Sequence, residues 1–149
     1  MSLFDQINND IKAAMLAREK DKLEALRSIK SAFLLAKTEK GDSDLPDEKA
    51  VAIVQKLAKQ RHDSAEIYKQ NNRMDLYDKE IFEAGVIEAY LPKQMDDGEI
   101  AAEVKKIIAQ TGASGMKDMG KVMGMATKAM AGKADNKKIA DTVKNMLGG

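Results

Sequence analysis

The sequence predicts an all-α protein: an N-terminal four-helix unit made of two helical hairpins, followed by a small C-terminal three-helix bundle. Three observations predict it. Apolar residues recur at spacings of three and four along nearly the whole chain, and no period-two alternation interrupts them. Charged residues are 33% of the 149, a share typical of long solvated helices. Only two prolines are present. Aromatics are 4% and Trp is absent, so the core has to come from Leu, Ile, Val, Met and Ala.

The elements follow in order. Ser2 is placed to cap a first helix carrying Phe4, Ile7, Ile11, Ala14 and Met15. The polar run Arg18–Asp21 turns the chain. A second helix carries Leu23, Leu26, Ile29 and Phe33 and is expected to end near Gly41, a residue suited to the left-handed conformation at a helix C-terminus. Residues 41–46 read as a loop. A long third helix starts near Asp47, whose acidic first turn suits the positive end of the helix dipole. Its seam is Val51, Val54, Ala58, Arg61, Ala65 and Tyr68, with one charged member that snorkels or pairs with a carboxylate. Asn71-Asn72 breaks it. A fourth helix runs from about Met74 to Tyr90, with Leu76, Ile81, Ala84, Ile87 and Leu91 inward.

Leu91-Pro92 marks the best boundary, because Pro92 disfavours helical geometry at Leu91 and has no N–H to donate. The expected organisation is therefore a domain over 1–91, a hinge over 92–95 and a second domain over 96–149. Asp96 and Glu99 form a capping-box pair before a fifth helix with Ile100, Val104, Ile107 and Ile108. After a Gly/Ser loop, a sixth helix is expected over about Met116–Ala131, stopping at Gly132. Asp135 caps a seventh, with Ile139, Val143, Met146 and Leu147 as its stripe.

Composition excludes several chemistries. There is no Cys, which removes disulfides and thiolate sites, and the single His62 removes multi-histidine metal sites. No stretch approaches the roughly 18 apolar residues of a membrane span. The N-terminus lacks the basic and apolar regions of a signal peptide, so a cytoplasmic location is the expectation. No cofactor, metal or membrane association is expected.

Charge is uneven. Residues 1–91 hold 15 Lys/Arg and 17 Asp/Glu, whereas residues 112–149 hold 7 Lys and 3 Asp. This asymmetry points the C-terminal part towards an anionic partner. Gly115-Met116-Lys117-Asp118-Met119-Gly120-Lys121-Val122 nearly matches a phosphate loop, but Val122 replaces the hydroxyl residue that Mg²⁺ requires and no strand precedes it. As a helix, the same segment puts Lys117, Lys121, Gly124 and Lys128 on one stripe, with Met119, Val122, Met123, Ala126 and Met130 opposite. Gly120 flanks the lysine row. Glycine within a helix costs about 1 kcal/mol against alanine, so Gly120 and Gly124 need a reason. Close packing of another helix is the first explanation, and a phosphate backbone lying against them is the second. Lys133, Lys137 and Lys138 extend the basic surface, and Lys137 lies in the first turn of the last helix, where backbone N–H groups favour anions. No aromatic follows Tyr90, so contact would be with phosphate and shape and without base stacking. That favours a structured RNA over a single strand.

Two further constellations have plain readings. Arg61-His62-Asp63-Ser64 cannot align as a relay, because adjacent helical residues point in different directions. His62 is read as a surface residue able to pair with Glu66. The six methionines from Met116 to Met146 could form an adaptable protein-binding face, but most sit at core spacing.

Leu91-Pro92-Lys93-Gln94, Met119-Gly120-Lys121-Val122-Met123-Gly124 and Gly132-Lys133-Ala134-Asp135 together resemble the YqeY family, free-standing relatives of the GatB tail domain. Arg61-His62-Asp63-Ser64, Glu88-Ala89-Tyr90 and residues 109–113 fit as well. Asn136 stands where such sequences often carry Gly, and His62 where Lys or Arg is usual. The resemblance implies the four-plus-three helix arrangement. GatB belongs to the glutamine-dependent amidotransferase that amidates misacylated Glu-tRNA(Gln) or Asp-tRNA(Asn), and its tail contacts tRNA. The resemblance thus implies a tRNA- or RNA-associated accessory protein, and carries with it the label of a carbon–nitrogen ligase with glutamine as amido-N-donor. The residues themselves offer no glutaminase nucleophile and no credible ATP loop. A protein–protein adaptor is the remaining alternative.

Overall fold

The computed structural model describes residues 1–39 and 45–148, so the second helix's expected end near Gly41 lies outside the described residues. Among the described residues there are seven α-helices and no strand. They form two compact units, Met1–Leu91 and Pro92–Gly149.

The first unit holds α1 (Leu3–Ala17), α2 (Lys20–Glu39), α3 (Asp47–Gln70) and α4 (Met74–Glu88). Ser2 caps α1 by accepting the Asp5 N–H at 3.1 Å. The Leu3 N–H donates to the Asp47 carboxylate at 3.0 Å, so the first turn of α3 also satisfies the start of α1. Arg18 takes the left-handed conformation (φ 59°), and the Glu19 N–H closes back onto the Ala14 carbonyl. The turn is therefore shorter than the polar run suggests, and α2 begins at Lys20. Asn72 (φ 59°) turns α3 into α4, a conformation Asn tolerates because its short amide bonds locally.

Leu3, Ile7, Ile11 and Ala14 pack with Leu26, Ile29 and Phe33, with Ala50, Val54 and Ala58, and with Ile87. The Lys37 ammonium lies 3.6 Å over the Phe4 ring. Two residues expected inward are exposed: Met15 and Ile81. The side that α4 turns inward carries Glu83, Ala84 and Ile87, which leaves Ile81 outside it.

Arg61, the charged residue on the seam, pairs with carboxylates. Its Nε lies 3.0 Å from Glu83 Oε2 and 3.9 Å from Glu80 Oε2. Glu83 is the one buried charged residue among those described. Burial pushes its carboxyl above the usual carboxylate range; Arg61 opposes that, while neighbouring Glu80 reinforces it. Tyr90 donates to Asp10 at 2.5 Å, and burial together with that bond raises its pKa. His62 Nε2 meets the Glu88 carboxylate rather than Glu66.

The second unit holds α5 (Asp97–Thr111), a 3₁₀ turn (Met116–Asp118), α6 (Met119–Ala129) and α7 (Asn136–Gly148). Asp96 and Glu99 complete the capping box, and Gly112 closes α5 at φ 69°. Ile100, Val104, Ile107, Val122, Ala126, Met130, Ala134, Ile139 and Val143 form the core. The sixth helix is shorter than its spacing predicts. The Asp118 N–H bonds to the Gly115 carbonyl and the Asp118 carboxylate accepts the Ser114 N–H, so the first three residues wind as a 3₁₀ turn. Met146, expected in the α7 stripe, is 39% exposed. Residues 92–95, expected as a hinge, are tied to the second unit. The Met95 N–H donates to the Lys133 carbonyl at 2.9 Å, and the Gln94 side chain donates to the Gly132 carbonyl at 2.8 Å.

Two outcomes test the ion cluster. Arg61→Ala should destabilise the protein by about 2–3 kcal/mol in chemical denaturation, below the full cost of a broken buried pair because Arg61 keeps part of its side chain in solvent. A pKa raised by folding contributes stability that is full below the unfolded value and lost as pH rises through the folded one. Glu83→Gln, which cannot titrate, should therefore gain on the wild type as pH rises from mildly acidic to neutral. A gain in the opposite direction would mean that attraction to Arg61 outweighs burial.

Candidate nucleic-acid interface

Helix α6 is positioned by its apolar side. Val122 and Ala126 are fully buried, Met130 closes the same face just past the helix end, and Met119 and Met123 are half-buried around them. Burying that face fixes the rotation of the helix and turns Lys121, Gly124 and Lys128 outward, with Gly120 beside them. All four are exposed. Lys121 and Lys128 stand about 10 Å apart along the axis, from the rise of about 1.5 Å per residue.

The other sequence-derived positions surround this face less regularly. Lys117 is exposed but lies in the 3₁₀ turn, so it leads into the α6 stripe without sharing its helical phase. Lys133 lies exposed in the segment between α6 and α7. Lys137 and Lys138 are exposed in the first turn of α7. The Lys137 N–H donates to the Asp135 carboxylate at 3.1 Å, so that helix start already has an anion from the chain itself. Lys138 Nζ lies 3.6 Å from the Asp97 carboxylate, both largely in solvent, a pair of small energetic weight. Lys117, Lys121 and Lys128 make no ion pair with another described residue. No acidic residue occurs in α6. The helix therefore carries two uncompensated positive charges and no negative one.

The two glycines overturn the first explanation offered for them. A Cβ built at Gly120 or at Gly124 meets nothing within 4 Å. No described helix of the second unit packs closely there, and both glycines are exposed. The near-match to a phosphate loop also ends here. The element before Gly115 is α5, and Lys121 lies inside α6 rather than at the mouth of a backbone cradle.

One member of the face was not singled out from sequence. Met125, at 40% exposure, lies between Lys121 and Lys128. The signal was its spacing of four and three from those lysines. Of the six methionines in this part of the chain, Met116, Met125 and Met146 are exposed, so the core spacing holds for the other three. No group of three or more His, Cys, Asp or Glu residues that could hold a metal occurs among the described residues, and no described helix is long and apolar enough to cross a membrane.

The sequence matches the YqeY family, described as "Yqey-like protein", over residues 4–147. It is also similar to two fungal proteins named "Altered inheritance of mitochondria protein 41, mitochondrial". The one from Lachancea thermotolerans is 29% identical over 114 residues, covering 73% of this chain and 61% of that protein. The one from Vanderwaltozyma polyspora is 34% identical over 85 residues, covering 57% of this chain and 46% of that protein. The chain thus spans about half to three-fifths of the length of these relatives.

Because both glycines have open space where a side chain would stand, Gly120→Ala and Gly124→Ala should stabilise the protein by about 0.5–1 kcal/mol each through helix propensity. Thermal unfolding reads this directly. Destabilisation would instead reveal a close contact at that backbone.

Proposed function

The chain belongs to the YqeY family, and on that premise we propose that it is a helical accessory protein associated with tRNA or another structured RNA, acting without catalysis of its own. The observation that carries this reading is the outward side of α6, where Lys121 and Lys128 are unpaired among the described residues, no carboxylate is present, and Gly120 and Gly124 leave the backbone open. Ammonium groups on a surface that a ligand can approach closely suit phosphate contacts, which position a nucleic acid without reading its sequence. Lys117 and Lys133 extend the footprint. Lys137 and Lys138 add charge at its edge, weakened where Asp135 and Asp97 already engage them.

The RNA contact falls to a tail-like domain over 96–149, and 1–91 is a separate domain. It is supported by the resemblance to the tail of GatB, whose tRNA-contacting role is carried over here as part of the reading. A cytoplasmic location belongs to the same proposal, although the two fungal relatives are mitochondrial by name. An amidotransferase activity gains no support from the side chains: His62 is engaged by Glu88, and no cysteine is available as a nucleophile. The exposure of Met116, Met125 and Met146 favours a protein-binding adaptor as the second reading.

The test is fluorescence anisotropy of labelled tRNA titrated across salt. The wild type should bind with an affinity that falls steeply as salt rises, because phosphate contacts release counterions. Charge reversal of Lys117, Lys121 and Lys128 to Glu should weaken binding at least about tenfold and reduce the log–log salt slope by roughly two to three. Undiminished binding by that variant would remove the site from this face. Failure of the wild type to bind tRNA at low salt would move the reading to the adaptor.

A further inference from the structure

Glycine stands in the interior of two helices, Gly85 in α4 and Gly124 in α6, and a Cβ built at either meets nothing within 4 Å. Around each glycine the exposed side of the helix repeats one spacing. On α4 the positions i, i+3, i+4 and i+7 are Asp78, Ile81, Phe82 and Gly85, and all four are exposed. On α6 the same positions are Lys121, Gly124, Met125 and Lys128, and all four are exposed. Residues at that spacing share one face of a helix. The α4 face lies away from the buried Glu83, Ala84 and Ile87. Each face carries a large apolar side chain that the fold leaves in solvent, Phe82 at 49% exposure and Met125 at 40%.

The two faces are opposite in charge. Asp78 makes no ion pair with another described residue, and neither do Lys121 and Lys128. The nearby Asp75 is already engaged by Arg73 at 3.2 Å. The faces also match in shape. Laid against each other in either direction, the equal spacing sets Asp78 on one lysine and the Ile81–Phe82 pair on the Gly124–Met125 pair. The other lysine then lies over the open backbone at Gly85, where its stem finds apolar cover and its ammonium stays in solvent. A second α4 face offers Asp78 no cation, and like charges across an interface are unfavourable. The same carboxylates repel phosphates and anionic membranes. The α6 face of another copy supplies what α4 lacks: positive charge, a small residue and an apolar side chain at matching positions.

We propose that the protein associates with a second copy of itself through these faces, α4 of one copy seated on α6 of the other. Each copy carries one face of each kind, so the contact is head-to-tail and closes when two copies exchange both contacts. The faces are small, which places the association at the weak, transient end of protein interfaces. The contact does not rest on the RNA reading. The two occupants of α6 exclude one another, so self-association keeps that face covered until an RNA displaces the partner.

The experiment is sedimentation equilibrium of the full chain, freed of nucleic acid, at low salt and rising protein concentration. The mean mass of the wild type should rise above that of the monomer. Asp78→Lys alone, and the double variant Lys121→Glu with Lys128→Glu alone, should each lose about tenfold in association, because like charges then face each other. Mixed in equal amounts, these two variants should regain association to within about threefold of wild type, since the α4 face of each then matches the α6 face of the other. Phe82→Gln should lose about fivefold. Matched thermal unfolding confirms that these exposed positions leave the fold intact. A monomer at every concentration, a mixture that associates no better than its components, or wild-type association by Phe82→Gln overturns the contact. No RNA enters this assay, so its failure and failure of the tRNA titration are separate results.

Discussion

Burial of Val122 and Ala126 is the constraint on which the functional reading of this protein depends. Both side chains are fully buried, together with Ile139 and Val143 from α7 and Val104 from α5. Each is a short or branched side chain with little freedom to adapt, so the helix cannot rotate without opening a void. A fixed rotation decides which residues meet solvent. Lys121, Gly124 and Lys128 come outward as a set, and Met125 comes with them at the margin. The same packing ties the ends of the unit together, since the turn that follows Met130 also supplies the Gly132 and Lys133 carbonyls that hold Gln94 and Met95.

The first unit solves a different problem. Its long hairpin places Arg61 where an apolar side chain would continue the seam, and the surroundings adjust by supplying Glu83 and Glu80. The result is a partly buried ionic cluster whose members depend on one another: Glu83 is held against the preference of its own carboxylate for water, and Arg61 makes that position tolerable. Such a cluster contributes little net stability compared with a well-packed apolar substitute, but it is sensitive to the loss of one partner. Ala50, Ala58, Ala65 and Ala84 are buried on these two helices, and Ala50 and Ala58 pack with the core shared with α1 and α2.

Gly120 and Gly124 cost helix stability without serving the packing of the described residues. A helix with open space on its outer side gains from alanine at both positions, yet glycine is what this chain carries. A departure from local propensity that serves no packing is where a contact outside the fold is expected. In the second unit the same side of α6 combines that weakness with unpaired positive charge and an exposed thioether. The coincidence of all three on one face, rather than any one alone, distinguishes it from an ordinary solvated helix surface.

The residues by themselves determined the all-helical class, the order of the helices, the capping box at Asp96 and Glu99, and most of both cores, because periodic burial and local capping are properties of neighbouring residues. They also marked the lysines of the candidate site, through spacing alone. Several features depended on tertiary packing. The partners of Arg61 and His62 come from α4, some twenty residues away in sequence, so no local pattern could identify them. Whether Gly120 and Gly124 faced a neighbouring helix or open space depended on where α5 and α7 lie, and the answer was open space. Met146 and Ile81 each carry a hydrophobic side chain at a spacing that could have been buried, and only the rotation of their helices leaves them in solvent. Local sequence sets which residues share a face; the three-dimensional packing of the other faces decides which one remains exposed.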